Sequence, residues 1–182
     1  MLQSPLENIA LIILDRDGVI NKKADLVTGE RYILKVDDLN IYPDFFDFAA
    51  WAESANIILV VATNQQGLAL NLLTQIEMNV IHEKIQQELQ RRGLQRIRSF
   101  YICGHLVGTC ECRKPSPGLL LEILRDFKMS PTEVIVIGDS VSDKLAATAL
   151  KIRFIQMKRD RYEDIFASEY ISSFSQLIGM RG

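Results

Sequence analysis

The chain has 182 residues, 48% of them hydrophobic, so its length fits one domain with a substantial apolar core, and we expect a single domain over residues 1–182. A formal net charge of −2 and a pI near 5.7 argue against a nucleic-acid partner. The sequence shows no secretory signal pattern and no apolar run long enough to cross a bilayer, so we expect a cytoplasmic protein with no membrane partner.

Short runs rich in β-branched and apolar residues recur along the chain and predict strands. Each run is nearly continuous, which is typical of strands buried on both faces of a parallel sheet. The runs cover residues 9–14, 57–62, 97–103, 134–137 and 153–157.

Between the runs, apolar residues at helical spacing predict helices. We expect helices over residues 43–51, 73–92 and 174–178, another with Ser116 as N-cap and Pro117 at its first position, and a short one beginning at Ser142. The alternation of strand and helix predicts an α/β fold with a three-layer, doubly wound parallel sheet.

Polar residues follow the predicted strands at the points where the strands end. Because the carboxyl ends of parallel strands meet at one edge of a sheet, we expect these side chains to form one site. They are Asp15, Asp17 and Gly18 after the first strand, Thr63 and Asn64 after the second, Arg113 and Lys114 beyond the third, and Asp139 and Asp143 after the fourth.

The carboxylates of this edge favour a magnesium site. Asp15 and Asp17 lie two positions apart, and Asp139 reaches the same edge from another predicted strand. Such an oxygen-rich group suits Mg²⁺, which binds few carboxylates together with water and a substrate phosphate. We therefore predict Mg²⁺ as a cofactor, held by Asp15, Asp17 and Asp139.

The remaining residues of the edge suit a phosphoryl group. Lys114, the Thr63 hydroxyl and main-chain N–H groups near Asn64 would supply a cation and donors around it. Asp15 would attack phosphorus and form an aspartyl-phosphate. Asp17 would protonate the leaving alcohol and then deprotonate the water that hydrolyses the intermediate.

A second candidate metal site contains all three cysteines and one of the two histidines. Cys103, His105, Cys110 and Cys112 form a complete tetrahedral ligand set for Zn²⁺, with no position left for water or substrate. We therefore predict a structural zinc that holds a loop ending directly before two cationic residues. The alternative is three reduced cysteines in a strand and a loop.

These residues resemble the four ordered motifs of the haloacid dehalogenase superfamily of phosphatases. The motifs are Asp15-x-Asp17-Gly18, Thr63-Asn64, Lys114 and Gly138-Asp139-(x3)-Asp143. Within this superfamily, LDRDGVIN, TNQQG, the Cys/His stretch and RKPSPG resemble the branch of histidinol-phosphate and D,D-heptose 1,7-bisphosphate phosphatases.

The resemblance implies roles for individual residues. Asp15 would be the nucleophile, Asp17 the acid and base, and Asp139 a metal ligand together with the Asp17 carbonyl. Arg113 would contact the substrate or its phosphate. Asp143 would either support the site from behind the metal ligands or cap a helix. The intervals between motifs leave no room for a large cap domain, so we expect an open site.

Within this branch we expect the heptose bisphosphate as substrate, with histidinol phosphate as the alternative. RKPSPG and TNQQGLA favour removal of the 7-phosphate from D-glycero-D-manno-heptose 1,7-bisphosphate, whereas the short gap between His105 and Cys110 is closer to the histidinol-phosphate enzymes. Ser140 and Lys22-Lys23 depart from the pattern of the branch, and the extra cations favour a second anionic group. We expect a small phosphorylated metabolite as partner and a monomer or weak oligomer.

Two functions of other classes compete with a phosphatase. A phospho-receiver also uses strand-end aspartates, a threonine and a lysine, but it takes the phosphorylated aspartate from a later strand and has no use for zinc ligands. A zinc-dependent interaction module without catalysis would be indifferent to Asp15→Asn and would release no phosphate from any substrate.

Overall fold

The computed structural model describes residues 6, 8–24, 32–159 and 164–178. Its centre is a six-stranded sheet of parallel strands in the order β3-β2-β1-β4-β5-β6. The strands are β1 (Leu11–Leu14), β2 (Ile58–Asn64), β3 (Ser99–Cys103), β4 (Val134–Gly138), β5 (Arg153–Met157) and β6 (Tyr170–Ile171).

Helices cover both faces of the sheet and make it the middle layer of three. They are α1 (Pro43–Ser54), α2 (Gln75–Gln90), α3 (Gly118–Phe127), α4 (Val141–Ala149) and α5 (Phe174–Ile178). Apolar residues of α1, α2 and α5 pack with Ile12 and Leu14 of β1, whereas those of α3 and α4 pack with Leu11 and Ile13. Successive β1 residues thus enter opposite cores, as the period of two in a strand requires.

The predicted three-layer, doubly wound parallel α/β fold is therefore confirmed. The sequence predicted five strands and missed β6, a two-residue strand at the edge of the sheet. None of the described helices combines the length and apolar character of a bilayer span. In the described residues between β1 and α1, regular structure is limited to a 3₁₀ turn at Val36–Asp38.

The prediction for the start of α3 is wrong. The helix begins at Gly118, with Pro117 as its N-cap and no side-chain cap. Ser116 instead closes a turn by donating its N–H to the Arg113 carbonyl at 2.9 Å, and the Gly118 N–H donates to the Glu111 carbonyl at 3.1 Å. A Cβ at Gly118 would overlap Glu111, so a glycine is needed where the helix approaches this loop so closely.

The start of α4 also differs from the prediction. The helix begins at Val141, and Ser140 is its N-cap. The Ser140 hydroxyl accepts the Asp143 N–H at 3.3 Å, and the Asp143 carboxylate accepts the Ser140 N–H at 3.1 Å. This reciprocal pair is a capping box, and it fixes Asp143 in the first turn, directly after β4.

Candidate active site

A cavity of about 320 Å³ opens at the carboxyl ends of β1, β2 and β4. Carboxylates, hydroxyls and ammonium groups converge in it, as expected at the strand ends of a doubly wound sheet. Its lining residues are Asp15, Asp17, Lys23, Ala24, Tyr32, Thr63, Asn64, Lys114, Ser140, Ser142 and Asp143.

Lys114 is the central cation of this cavity. Its side chain is buried, and its ammonium lies 3.0 Å from Asp15 Oδ1 and 2.5 Å from Asp143 Oδ1. It also donates to the Ala62 carbonyl of β2 at 2.6 Å. Three acceptors from three segments therefore fix one ammonium group. Asp143 acts both as the helix-capping residue and as a partner of Lys114.

Main-chain hydrogen bonds place Asp15 directly at the end of β1. Its N–H donates to the Ile137 carbonyl of β4 at 2.9 Å. Burial raises the pKa of Asp15 to about 7; Lys114 opposes this increase, and Asp143, Asp139 and Asp17 add to it. A nucleophilic carboxylate at this position therefore depends on neighbouring cations to remain ionised.

Five donated hydrogen bonds and the charge of a buried arginine hold Asp17; one of the five comes from Arg16 Nε, at 3.2 Å to Oδ1. Arg16 donates to Asp17 through Nη2 at 2.9 Å to Oδ2 and 3.0 Å to Oδ1. Asn21 Nδ2 and Gln65 Nε2 each donate to this carboxylate at 2.8 Å. Burial alone would raise the pKa of Asp17, but the charge of Arg16 and these hydrogen bonds outweigh it and lower the pKa.

Behind Asp17, the fully buried Arg16 is itself positioned by α2. Its Nη1 lies 3.3 Å from His82 Nε2 and 3.2 Å from Met78 Sδ. Burial first and the charge of Arg16 second lower the pKa of His82 to about 3, so its ring is neutral and its Nε2 can accept from the guanidinium. The ring stacks on Phe100 of β3 with centroids 4.2 Å apart.

The acidic cluster fits a magnesium ion. Carboxylate oxygens of Asp15, Asp139 and Asp143 all lie within 4.8 Å of one another. The Asp139 side chain is 4% exposed. Oxygen donors in this number suit Mg²⁺, which completes its shell with water and phosphate oxygens. Each of the three is paired with a lysine ammonium, Asp15 and Asp143 with Lys114 and Asp139 with Lys23.

The predicted zinc ligands also converge. The sulfurs of Cys103, Cys110 and Cys112 lie 3.1–3.5 Å apart, and His105 Nδ1 lies 3.2 Å from Cys112 Sγ. Burial first, and then the neighbouring thiols, raise the pKa of Cys112 to about 12. Three thiolates can therefore coexist here only with a cation among them, and this donor set is the one that Zn²⁺ prefers.

The stretch that contains the predicted zinc ligands leads directly into Arg113 and Lys114. Asn64 of β2 binds the main chain at the end of this stretch. The Asn64 Nδ2 donates to the Lys114 carbonyl at 2.9 Å, and the Asn64 Oδ1 accepts the Lys114 N–H at 3.1 Å. The Arg113 guanidinium donates to the His105 carbonyl at 3.5 Å and is not among the lining residues of the cavity. Thr63 lies on the cavity wall and accepts from Gln65 Nε2 at 2.8 Å.

The sequence matches the haloacid dehalogenase-like hydrolase family over residues 30–157, more than two thirds of the chain. The chain belongs to this family. The resemblance inferred from the four motifs is thereby confirmed, and this haloacid dehalogenase-like hydrolase is a phosphoric monoester hydrolase.

Several relatives of this hydrolase are named as 7-phosphatases of a heptose 1,7-bisphosphate. It is 33% identical over 135 residues to D-glycero-alpha-D-manno-heptose-1,7-bisphosphate 7-phosphatase of Campylobacter jejuni, covering 74% of each chain. It is 35% identical over 138 residues to the beta-heptose enzyme of Bordetella bronchiseptica, covering 75% of this chain and 74% of the relative. The alpha-heptose enzyme of Mycobacterium bovis is 38% identical over 138 residues, covering 72% of this chain and 68% of the relative.

Solved structures agree with these relatives. The crystal structure of D,D-heptose 1,7-bisphosphate phosphatase from B. bronchiseptica, complexed with magnesium and phosphate, superposes with a TM-score of 0.83 at 27% identity, over 94% of this chain and 97% of that one. The enzyme of the same name from Burkholderia thailandensis has a TM-score of 0.67 at 22% identity, over 92% and 95%, and supports the fold.

Several residues of the site were not predicted from the sequence. Arg16 and Gln65 lie inside the recognised motifs, yet only the structure shows that both bind Asp17. Tyr32 lines the cavity, whereas Asn21 is buried and binds Asp17. Lys23, noted only as a departure from the branch, forms an ion pair with Asp139 at 2.7 Å.

Proposed function

We propose that this enzyme removes the 7-phosphate of D-glycero-D-manno-heptose 1,7-bisphosphate. The observation that carries the proposal is the agreement of relatives at 33–38% identity on this activity, together with a complete set of phosphatase residues at one sheet edge. Relatives for both the alpha and the beta sugar occur, so the proposal covers the bisphosphate without choosing an anomer.

The charges of the cavity support a substrate with two phosphates. Lys114 is engaged by Asp15 and Asp143 at the bottom of the site, where the transferred phosphate would lie. Lys23 lines the same cavity with its side chain 53% exposed, and Arg113 follows the zinc loop nearby in sequence. Cations at two depths suit an anion at each end of a small sugar.

In the first half-reaction, Asp15 attacks phosphorus and the bond between phosphorus and the sugar oxygen breaks. Lys114 holds Asp15 Oδ1 at 3.0 Å and so orients the carboxylate and favours its ionised form. Asp17, which lines the same cavity, must enter this step protonated and gives that proton to the departing sugar oxygen; the negative charge of a bound phosphate favours its protonated form and opposes the effect of Arg16. The Thr63 hydroxyl and the N–H groups around Asn64 stabilise the charge on the phosphoryl oxygens.

In the second half-reaction, Asp17 removes a proton from the water that attacks the aspartyl-phosphate. The environment of Asp17 favours this step, since Arg16, Asn21 and Gln65 stabilise the ionised carboxylate that must act as base. Asp15, Asp139 and the Asp17 carbonyl would hold Mg²⁺, and the bound ion would neutralise negative charge on the phosphate.

We further propose that Cys103, His105, Cys110 and Cys112 hold a structural Zn²⁺. Their four ligand atoms lie within 4.8 Å of one another and leave no position for a substrate. The ion would stabilise the loop that ends at Cys112, directly before Arg113, and would take no part in the reaction.

A substrate panel tests the proposal. Phosphate release would be measured for both anomers of the heptose bisphosphate, for histidinol phosphate and for a chromogenic monophosphate, with and without Mg²⁺. We expect the highest kcat/KM for a heptose bisphosphate, and a loss of at least about a thousandfold in Asp15→Asn because the nucleophile is removed. Asp47→Asn, which changes an exposed carboxylate of α1, is the matched control.

The outcomes separate substrate from mechanism. A higher kcat/KM for histidinol phosphate would show that the proposed substrate is wrong and would leave the proposed mechanism unchanged. Turnover that persists without Mg²⁺ and in Asp15→Asn would overturn the mechanism itself.

A further inference from the structure

The ammonium of Lys23 binds a carboxylate that is expected to hold the metal. Its Nζ lies 2.7 Å from Asp139 Oδ2, and the Asp139 side chain is 4% exposed. A cation therefore already neutralises this buried carboxylate, and it comes from the chain itself.

The path of the Lys23 side chain to Asp139 is accommodated by a glycine. Gly18 has φ +84, and a Cβ added there would lie 2.7 Å from Lys23 Cε and overlap the Asp139 carboxylate. The absence of a side chain at Gly18 thus gives both groups the room to meet. The ion pair is consequently part of a close-packed contact between Lys23, Gly18 and Asp139.

The carboxylates of the site are otherwise matched to other cations. Arg16 binds Asp17, and Lys114 binds Asp15 and Asp143. Lys23 completes this pattern at Asp139. Without it, a buried carboxylate would face three others in a cavity from which water is partly excluded, and this is unfavourable in the absence of metal.

Lys23 and a magnesium ion cannot both occupy this place. A Mg²⁺ ion binds its oxygen ligands at about 2.0–2.1 Å, so the ammonium near the same oxygen would be within strong repulsion of the dication. Binding of the metal through Asp139 Oδ2 therefore requires the Lys23 ammonium to move away from this oxygen.

We propose that Lys23 is the resident counter-ion of Asp139 in the metal-free enzyme and exchanges with Mg²⁺. It stabilises the site before the metal arrives, and it weakens metal affinity because its contact must first be broken. This inference rests on the proposed function only where that function makes Asp139 a metal ligand.

A magnesium titration of two neighbouring lysine variants tests this exchange. Lys23→Met keeps most of the length of the side chain and removes its charge, and Lys22→Met makes the same change at an exposed lysine outside the cavity lining. The melting temperature of each purified protein would be followed against Mg²⁺ concentration in the absence of substrate, and Mg²⁺ binding would be measured in parallel by calorimetry.

For Lys23→Met we expect Mg²⁺ to bind about fivefold more tightly, the factor typical of one partly exposed ion pair. We also expect the Mg²⁺-free protein to melt about 2 °C lower than wild type. Lys22→Met should match wild type in both measurements, and Lys23→Arg should restore both because it keeps the cation.

Two results would overturn the proposal. One is an unchanged Mg²⁺ affinity in Lys23→Met; the other is an equal change of affinity in Lys22→Met, which would show that the effect comes from the net charge of the protein alone. Because no substrate is present, the titration gives its answer whichever phosphate ester the enzyme hydrolyses. Failure of the proposed substrate would appear in the turnover panel alone.

Discussion

Removal of the Lys114 ammonium is expected to destabilise the protein in a pH-dependent way. Lys114→Met leaves Asp15 and Asp143 without their shared cation. All three side chains are largely buried: that of Asp15 is 14% exposed, that of Asp143 1% and that of Lys114 3%. With N–O distances of 3.0 and 2.5 Å, each pair gains roughly 5–7 kcal/mol at an effective dielectric constant near 20. Desolvation of the buried ammonium and of both carboxylates offsets most of this gain, and we expect a net loss at pH 8 of about 3–5 kcal/mol, the range typical of a broken buried ion pair.

The direction of the pH dependence follows from Asp15. Its pKa in the folded protein is about 7, above the usual value of 3.8, so the folded state loses stability as pH rises through that interval. Lys114 lowers the pKa of Asp15, and its removal raises this pKa further. Between pH 5 and pH 8 the destabilisation of Lys114→Met relative to wild type should therefore grow by about 1 kcal/mol.

Urea denaturation at pH 5 and pH 8, with Mg²⁺ omitted, measures this difference. Lys22→Met serves as the control for the loss of one positive charge from an exposed position. The reasoning is refuted if the destabilisation at pH 8 is below about 1 kcal/mol, or if it is the same at both pH values.

Two further predictions concern the glycine beside the metal ligands and the zinc loop. Gly18→Ala should lower kcat/KM by at least about tenfold, because the added Cβ would overlap Asp139 and φ is positive there. Gly93→Ala is the control for backbone strain, since Gly93 also has a positive φ but no atom lies within 4 Å of the added Cβ. Equal losses of activity in the two variants would contradict this account. Cys110→Ser should reduce zinc from about one ion per chain to well below half and raise KM more than it lowers kcat; a zinc-replete or kinetically unchanged variant would exclude the structural ion.

Much of the site could be predicted because main-chain geometry alone brings it together. Asp15, Asn64 and Asp139 come at or directly after strand ends, and parallel pairing of β2, β1 and β4 in register places them at one edge. Buried apolar runs define those strands clearly, so the edge follows from the pattern without knowledge of any side-chain contact.

The support behind the site could not be predicted in this way. His82 reaches Arg16 from 66 positions away, and this contact depends on side-chain rotamers and on how α2 packs on the sheet. Periodicity predicts that His82 lies in a helix, but it does not indicate which buried group the ring will contact. The prediction of where α3 starts was wrong for a similar reason. The close approach of Gly118 to Glu111 overrides the local preference for Ser116 as the N-cap.

The two hydrogen bonds between the Asn64 side chain and the main chain of Lys114 have a consequence for a cell short of zinc. The Asn64 carboxamide pairs with the Lys114 main chain as a neighbouring strand would, and it holds Lys114 at the sheet through hydrogen bonds that involve no thiolate. Loss or oxidation of the cysteine ligands would then loosen the loop up to Arg113 while the cation beside the nucleophile stayed in place. With zinc bound as proposed, zinc starvation would therefore raise the KM for the substrate well before it lowered kcat.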